Sequence, residues 1–243
     1  MIDWDWVFRP TALAVLFGVP FTERFFNPPW SVFPLIPFAL LPDDIGRIAF
    51  LVASVIGYAI TVHRLGAKLT ALPVVFFAMP VWFAMTFGNI EWLALLGLAM
   101  PPSVGLLFLA IKPQMTVGVI VLLAVRALKS DMPIRNPVVL FAPTALMFIV
   151  SYAIWGTWWA HTLRYNELAV NYSFFPWSIG VGVGLLALAL RRDDVRLALA
   201  SGIFFIPVVS FTAYAGVVIA LTPYLSWLAL STIVTWAVMW MTR

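Results

Sequence analysis

The sequence of 243 residues contains no cysteine and only two histidines, His63 and His161. The lack of cysteine excludes disulfide bonds, thiolate metal sites and a cysteine nucleophile. Two isolated histidines cannot assemble the usual zinc or di-iron sites, so metal chemistry would have to rest on carboxylates alone. Charged side chains are scarce too, at 10% of the residues, against about a quarter in a soluble domain. Because 63% of the residues are hydrophobic, we expect lipid rather than water to surround most of the chain.

The few positive charges are grouped along the chain. The net charge is only +4, and no basic patch alternates with aromatic residues, so we expect no nucleic-acid partner. Most lysines and arginines lie in three connections, residues 63–68, 126–135 and 191–196, and at Arg243. Positively charged connections of membrane proteins stay in the cytoplasm. Alternation then places the N-terminal segment and residues 88–91, 110–114 and 156–178 on the extracytoplasmic side.

Several apolar stretches reach the length of about 20 residues that a helix needs to cross a bilayer. They are residues 45–62, 69–87, 138–155, 197–221 and 224–241. Residues 90–128 are also apolar, but Pro101-Pro102 and Lys112-Pro113 divide them into three pieces too short to span upright, and residues 179–190 form another short piece. The sequence therefore predicts an all-α, polytopic transmembrane helix bundle with about 7–9 membrane helices, some of them short or broken.

The chain shows no linker or repeat, which predicts a single transmembrane domain over residues 1–243. Residues 1–44 form its extracytoplasmic, interfacial N-terminal segment, and residues 45–243 its helix bundle. Within the segment, residues 11–17 are too few to cross a bilayer and predict a helix lying in the interface. Asp3 and Asp5 would then lie in water beside the membrane. Either carboxylate could act as a general base toward a sugar hydroxyl or hold a divalent cation, or both could simply be solvated acids.

Lys112 lies between two apolar runs, and an ionisable group in such a place is a functional hypothesis by default. Pro113 ends the preceding helix, and Gln114 adds an amide donor. Together Lys112 and Gln114 could hold the phosphate of a lipid carrier. The alternative is a lysine at a helix end whose ammonium reaches the interface.

Two further polar groups allow two interpretations each. Glu91, which follows Gly88-Asn89, is interpreted first as a turn acid at the interface and second as part of a cavity facing Asp3 and Asp5. The loop of residues 156–178 holds Arg164 together with tryptophans, tyrosines and asparagines that could stack on sugars and bind their hydroxyls. The same composition is typical of the aromatic belt at a membrane interface.

Four motifs occur in a fixed order along the chain. The first runs from the acidic start through Phe8-Arg9-Pro10, Gly18 and Pro20-Phe21 to Asn27-Pro28-Pro29-Trp30 and the prolines up to Pro42. The second is Gly88-Asn89 ahead of a short helix, the third is residues 105–114 ending in Ile111-Lys112-Pro113-Gln114, and a weaker fourth is residues 207–223 with Tyr214. In order and spacing they resemble the polytopic GT-C glycosyltransferases. They are most similar to the bacterial polyprenyl-phosphate-mannose-dependent mannosyltransferases of the cell envelope.

The resemblance implies a GT-C-like fold and a polyprenyl-phosphate sugar as donor. It implies that Asp3 or Asp5 is the catalytic base and that the carrier phosphate lies near Lys112. The substrate-binding and phosphate-binding set would be Lys112, Gln114, Arg9, Arg164, Asn89 and Glu91. No cofactor is implied beyond a divalent cation that the carboxylates could hold. The protein would be integral to a prokaryotic plasma membrane, with its active face extracytoplasmic.

Such relatives carry a transmembrane helix before the loop aspartate, whereas this sequence starts almost at the aspartate and has phenylalanine, Phe21, where tyrosine is common. We therefore expect a shortened version of the fold. A second hypothesis follows, in which the chain is a non-catalytic structural or accessory subunit that packs against partner membrane proteins. A third, a small transporter or channel, would require paired ionisable groups at mid-bilayer, and only the Lys112 region offers anything comparable.

Overall fold

A computed structural model describes residues 1–18, 25–129, 136–163 and 171–241. Every regular element in these ranges is helical, which confirms the predicted all-α class for the described chain. In chain order, the α-helices are α1 (Arg9–Leu16), α2 (Ile36–Ala39), α3 (Asp43–Arg64), α4 (Leu72–Phe77), α5 (Met79–Phe87), α6 (Glu91–Leu96), α7 (Pro102–Leu109), α8 (Pro113–Leu128), α9 (Pro137–Trp155), α10 (Trp158–Leu163), α11 (Ile179–Arg192), α12 (Val195–Gly202), α13 (Ala215–Ala220) and α14 (Leu225–Met241).

Two helices of the described chain, α3 and α9, are long and apolar enough to cross a membrane. They match the predicted spans 45–62 and 138–155. Acids in the first turn of α3 and His63 and Arg64 in its last turn complement its dipole. Asn136 caps α9 by accepting a hydrogen bond from the Val138 N–H. A third span is present if α5 and Glu91–Ala99, bent by 112° at their junction, count as one. These helices are consistent with an integral membrane protein.

The predicted interruptions of residues 90–128 are confirmed. This region forms α6 with a 3-10 turn Gly97–Ala99, then α7, then α8. Pro102 and Pro113 are the first residues of α7 and α8, where a proline's missing N–H costs no helical hydrogen bond. The residue before a proline avoids the helical region, so the preceding helix has to end there.

Two stretches predicted as single spans are interrupted instead. Residues 69–87 contain α4 and α5, separated at Ala78, whose backbone is extended (φ −64°, ψ 126°). Residues 197–221 contain most of α12 and all of α13. Between these two helices lie 3-10 turns at Ile203–Phe205 and Phe211–Tyr214 and non-helical chain around Pro207. Apolar length had suggested continuous helices, but the prolines near both breaks favour short ones.

The N-terminal helix begins before residue 11, where the sequence had predicted its start. A π-helical turn, Trp4–Phe8, runs directly into α1. Trp4 is wholly buried, and its ring stacks on Phe50 of α3 with centroids 4.5 Å apart. Asp5 therefore lies on a helix packed against the bundle, with Asp3 at the N-terminal end of that helix, and both acids are partly exposed.

The middle of the bundle is organised around α3, whose 22 residues rise about 33 Å. Helix α6 packs on α3, where the Trp92 ring lies against Gly57. Helices α6 and α7 then form a tight hairpin, in which Gly97 and Gly105 bring the two backbones into contact. Because the chain returns along α7, the start of α6 and the start of α8 come together.

Candidate functional site

Three segments far apart in the sequence meet in one hydrogen-bonded cluster. The Asn89 Nδ2 donates to Oδ2 of Asp3 over 2.9 Å, and the Lys112 Nζ donates to Oδ1 of Asn89 over 3.1 Å. The Lys112 ammonium also lies 3.4 Å from Oε1 of Glu91. We call Asp3, Asn89, Glu91 and Lys112 the polar network. It joins the N-terminal helix to both ends of the α6–α7 hairpin.

Asn89 is the bridge of this network. Its Oδ1 accepts from the Ile90 N–H (2.8 Å) as well as from Lys112, while its Nδ2 faces Asp3. A lysine only donates and an ionised carboxylate only accepts, so the partners fix which way the amide points. Asn89 thus connects the cation to the acid without direct contact between them.

The backbone around Lys112 is shaped by Pro113. Lys112 has φ −130° and ψ 68°, outside the helical region, as expected before a proline. The Thr116 hydroxyl contacts the carbonyl oxygens of Leu109 (2.6 Å) and Lys112 (3.0 Å), which ties the end of α7 to the start of α8. The Lys112 side chain is only 8% exposed. It therefore points into the bundle and does not reach for the interface.

Glu91 is completely buried, so its interpretation as an interfacial turn acid is wrong. Its Oε1 accepts a hydrogen bond from the Thr212 hydroxyl over 2.7 Å in addition to the ion pair with Lys112. Its Oε2 is buried without a hydrogen-bond partner among the described residues, and so is the hydroxyl of the neighbouring Tyr58. Burying a carboxylate with one unpaired oxygen costs free energy. The Lys112 ammonium offsets part of that cost by its attraction to the carboxylate.

Asp3 is the most accessible acid of the network. Partial burial raises the pKa of the Asp3 carboxyl above its usual value, and repulsion by Glu91 raises it further. The Lys112 charge and the hydrogen bond from Asn89 oppose this shift but do not cancel it. Asp3 is therefore a stronger base than an ordinary surface aspartate.

Asp5 and Arg9 lie outside the polar network. Asp5 accepts from Nε of Arg47 over 2.8 Å, and Arg9 pairs with Asp43 over 2.6 Å. These ion pairs fasten the N-terminal helix to the first turns of α3. Gln114 is half-buried, and its side chain makes no hydrogen bond within the described chain. Arg164 lies outside the described residues.

The structure adds Thr212, which the sequence motifs did not single out. Thr212 hydrogen-bonds Glu91, and its hydroxyl lies 3.1 Å from that of Ser210. Tyr214 belongs to the same stretch and donates its hydroxyl to the Tyr172 carbonyl over 2.8 Å. The fourth motif covers residues 207–223, but nothing in the sequence indicates that a threonine in this apolar stretch hydrogen-bonds a buried carboxylate.

The network does not form a metal site by itself. Among the residues that the structure describes, no three His, Asp or Glu side chains are grouped closely enough to hold an ion. Of its two carboxylates, Glu91 already faces the Lys112 ammonium. This donor set does not fit a divalent cation.

Gly88, just before Asn89, is required for two reasons. Its φ of +76° is in the left-handed region, and a Cβ placed on it would lie 2.6 Å from Cβ of Trp4. We expect Gly88→Ala to destabilise the fold by more than the about 1–3 kcal/mol of backbone strain alone. Gly66→Ala is the matched control, since Gly66 has φ +79° with open space around it. Unfolding in detergent measures both, and equal losses would contradict a role for the Trp4 contact.

Asp3, Asn89 and Lys112 come from the first three motifs of the sequence, Glu91 follows the second motif, and Thr212 comes from the fourth. Comparison of the chain with protein-family models, with curated proteins and with solved structures finds no match.

Proposed function

We propose that this protein transfers a sugar from a polyprenyl-phosphate carrier to an acceptor hydroxyl, with Asp3 as the general base. One observation carries the proposal. The motifs that resemble GT-C glycosyltransferases are dispersed along the chain, yet Asn89 hydrogen-bonds both Asp3 and Lys112. The α6–α7 hairpin brings Asn89 and Lys112 together, but Asp3 lies 86 positions from Asn89 and has no local reason to meet it, so this convergence favours a common role.

The chemistry requires one base and one nearby positive charge. The acceptor hydroxyl attacks the anomeric carbon of the sugar, and the bond between that carbon and the phosphate oxygen breaks. Asp3 takes the hydroxyl proton, and the carrier leaves as a polyprenyl monophosphate with one more negative charge. The raised pKa of Asp3 suits the base role, since a stronger base accepts the proton more readily.

Lys112 is assigned a positioning and electrostatic role in this proposal. Its ammonium holds Asn89, which in turn holds Asp3, and it neutralises Glu91. Its charge also favours the extra negative charge that develops on the departing phosphate. Arg9 is paired with Asp43, so a direct contact between Arg9 and the carrier phosphate is not part of the mechanism.

The proposal includes a location and a finer fold. Residues 63–68, 126–135 and 191–196 hold most of the positive charge and favour the cytoplasm, which leaves the polar network on the extracytoplasmic face. We propose a GT-C-like bundle of about 7–9 membrane helices in a prokaryotic plasma membrane, counting short and broken helices as membrane elements.

A second function is favoured by one observation. Glu91 is wholly buried and Lys112 nearly so, as in an ion pair that only fixes the fold. In that case the chain would be a non-catalytic subunit that packs against partner membrane proteins, and the polar network would hold its N-terminal helix in place.

A transfer assay separates the two functions. The protein is reconstituted in lipid nanodiscs with a polyprenyl-phosphate sugar labelled in the sugar, and a panel of alkyl glycosides serves as acceptors. We expect labelled product and released polyprenyl phosphate, whereas a nucleotide sugar offered as donor gives neither. A different result would contradict the enzyme proposal and support the accessory subunit: the protein transfers sugar to none of the acceptors, and it co-purifies with one membrane partner in a fixed stoichiometry.

A further inference from the structure

A cavity of about 570 Å³ lies beside the tip of the α6–α7 hairpin, and no residue of the polar network lines it. The tip of the hairpin, at Leu98 and Met100, forms part of its wall, and the ends of α3, α8 and α11 surround it. Residues from all three positively charged connections therefore meet here. We call this space the arginine pocket.

Four arginines line the arginine pocket, and they are not equivalent. Arg126 pairs with Asp193 over 2.6 Å, and Arg196 pairs with Asp194 over 3.0 Å. Arg64 and Arg192 also line the pocket, and neither has a carboxylate partner among the described residues. With two carboxylates against four guanidinium groups, the wall carries two uncompensated positive charges.

Asp193 gives the pocket a defined shape. It ends α11 with φ 54°, a left-handed conformation that is uncommon outside glycine. In this conformation its carboxylate accepts from Nε of Arg126, and its carbonyl oxygen accepts from Nη2 of the same guanidinium over 3.0 Å. The end of α11 is thus fixed to the last turn of α8, and Arg192 is held beside the opening.

The floor of the pocket is apolar. Leu109 from α7 and Val119 and Leu123 from α8 line it below the charged rim. A guanidinium binds a phosphate through two parallel hydrogen bonds, and basic pockets between membrane helices on the cytoplasmic side suit the headgroups of anionic lipids. An apolar floor next to a doubly positive rim suits a ligand with a phosphate at one end.

We propose that the arginine pocket binds a phosphate group through Arg64 and Arg192, presented by an anionic lipid or by a soluble phosphate ester. The site is independent of the proposed sugar transfer, since no residue of the polar network lines it.

Binding is measured on the full-length protein in a neutral detergent by calorimetry. The three probes are dihexanoyl phosphatidylglycerol, glycerol phosphate and dihexanoyl phosphatidylcholine, a lipid whose choline cation cancels the charge of its phosphate. We expect phosphatidylglycerol to bind, either alone or together with glycerol phosphate. Phosphatidylcholine should bind at least about tenfold more weakly. Saturable binding of phosphatidylglycerol alone assigns the phosphate to a lipid, and equal binding of glycerol phosphate assigns it to a soluble ester.

Variants test the residues. The double variant Arg64→Gln/Arg192→Gln is expected to lose at least about tenfold in affinity. The matched control is Arg191→Gln/Lys129→Gln, which removes the same charge from exposed positions outside the pocket wall. Equal losses in the two double variants, or equal binding of phosphatidylcholine, would overturn the proposal. If the double variant does not fold, Arg64→Lys/Arg192→Lys is used instead, because it keeps both charges and loses only the paired hydrogen bonds of the guanidinium groups. Undiminished phosphate binding by this lysine variant would overturn the proposal.

Discussion

Lys112→Met is expected to destabilise the folded protein by about 3–5 kcal/mol, the usual cost of removing one partner of a buried ion pair. Glu91 has no exposed surface, and the Lys112 ammonium 3.4 Å away is the cation that it faces. Methionine fills most of the same volume, so the loss reports the charge and not a cavity. Reversible unfolding in mixed detergent gives the free energy of unfolding of each variant.

The double variant Lys112→Met/Glu91→Gln distinguishes charge from packing. With the carboxylate replaced by a neutral amide of similar shape, we expect most of the lost stability to return. Lys129→Met, at an exposed position, should change stability by no more than about 0.5 kcal/mol. If the double variant is as unstable as Lys112→Met, the ion pair is not the reason for the loss.

Asp3→Asn is expected to lower the rate of sugar transfer by about 10²–10⁴-fold, the usual contribution of a general base. Asparagine still accepts a hydrogen bond from Asn89, so the geometry should survive while the base is lost. Asp5→Asn is the matched control, because Asp5 lies two residues away and pairs with Arg47 outside the network. We expect Asp5→Asn to stay within a few-fold of the wild-type rate, and equal losses would remove Asp3 from the proposed mechanism.

The pH dependence gives an independent readout for Asp3. Only its ionised form can accept a proton, so activity is present above its pKa and is lost as the pH falls through it. Because burial and Glu91 raise this pKa, the loss should occur at a higher pH than for an ordinary aspartate. Glu91→Gln removes the repulsion and should move the acid limb of the rate profile to lower pH. A limb that does not move would contradict the coupling.

Much of the helix pattern could be predicted because apolar length and prolines act locally. The two long spans and both breaks in residues 90–128 follow from those rules. The breaks at Ala78 and around Pro207 were missed because a long apolar run masks them. A break inside protein costs little when neighbouring helices satisfy the freed backbone groups, and that depends on packing.

The candidate site could be predicted only in outline. Asp3 and Asp5 look equivalent in the sequence, but residues two positions apart on a helix point in different directions. One therefore reaches Asn89 and the other reaches Arg47. Glu91 and Lys112 were each singled out, but their pairing depends on the return of α7 along α6, which spacing alone does not reveal.

The α6–α7 hairpin also has a consequence for the order in which the chain acquires its contacts. Glu91 and Lys112 are separated only by the hairpin, so their charges can neutralise each other as soon as that short stretch has entered the membrane. The Thr212 hydroxyl, 121 residues beyond Glu91, can join only after most of the remaining chain has been made. The buried carboxylate is thus paired locally before its hydrogen-bond donor is synthesised, and the last third of the protein closes around a charge that is already balanced.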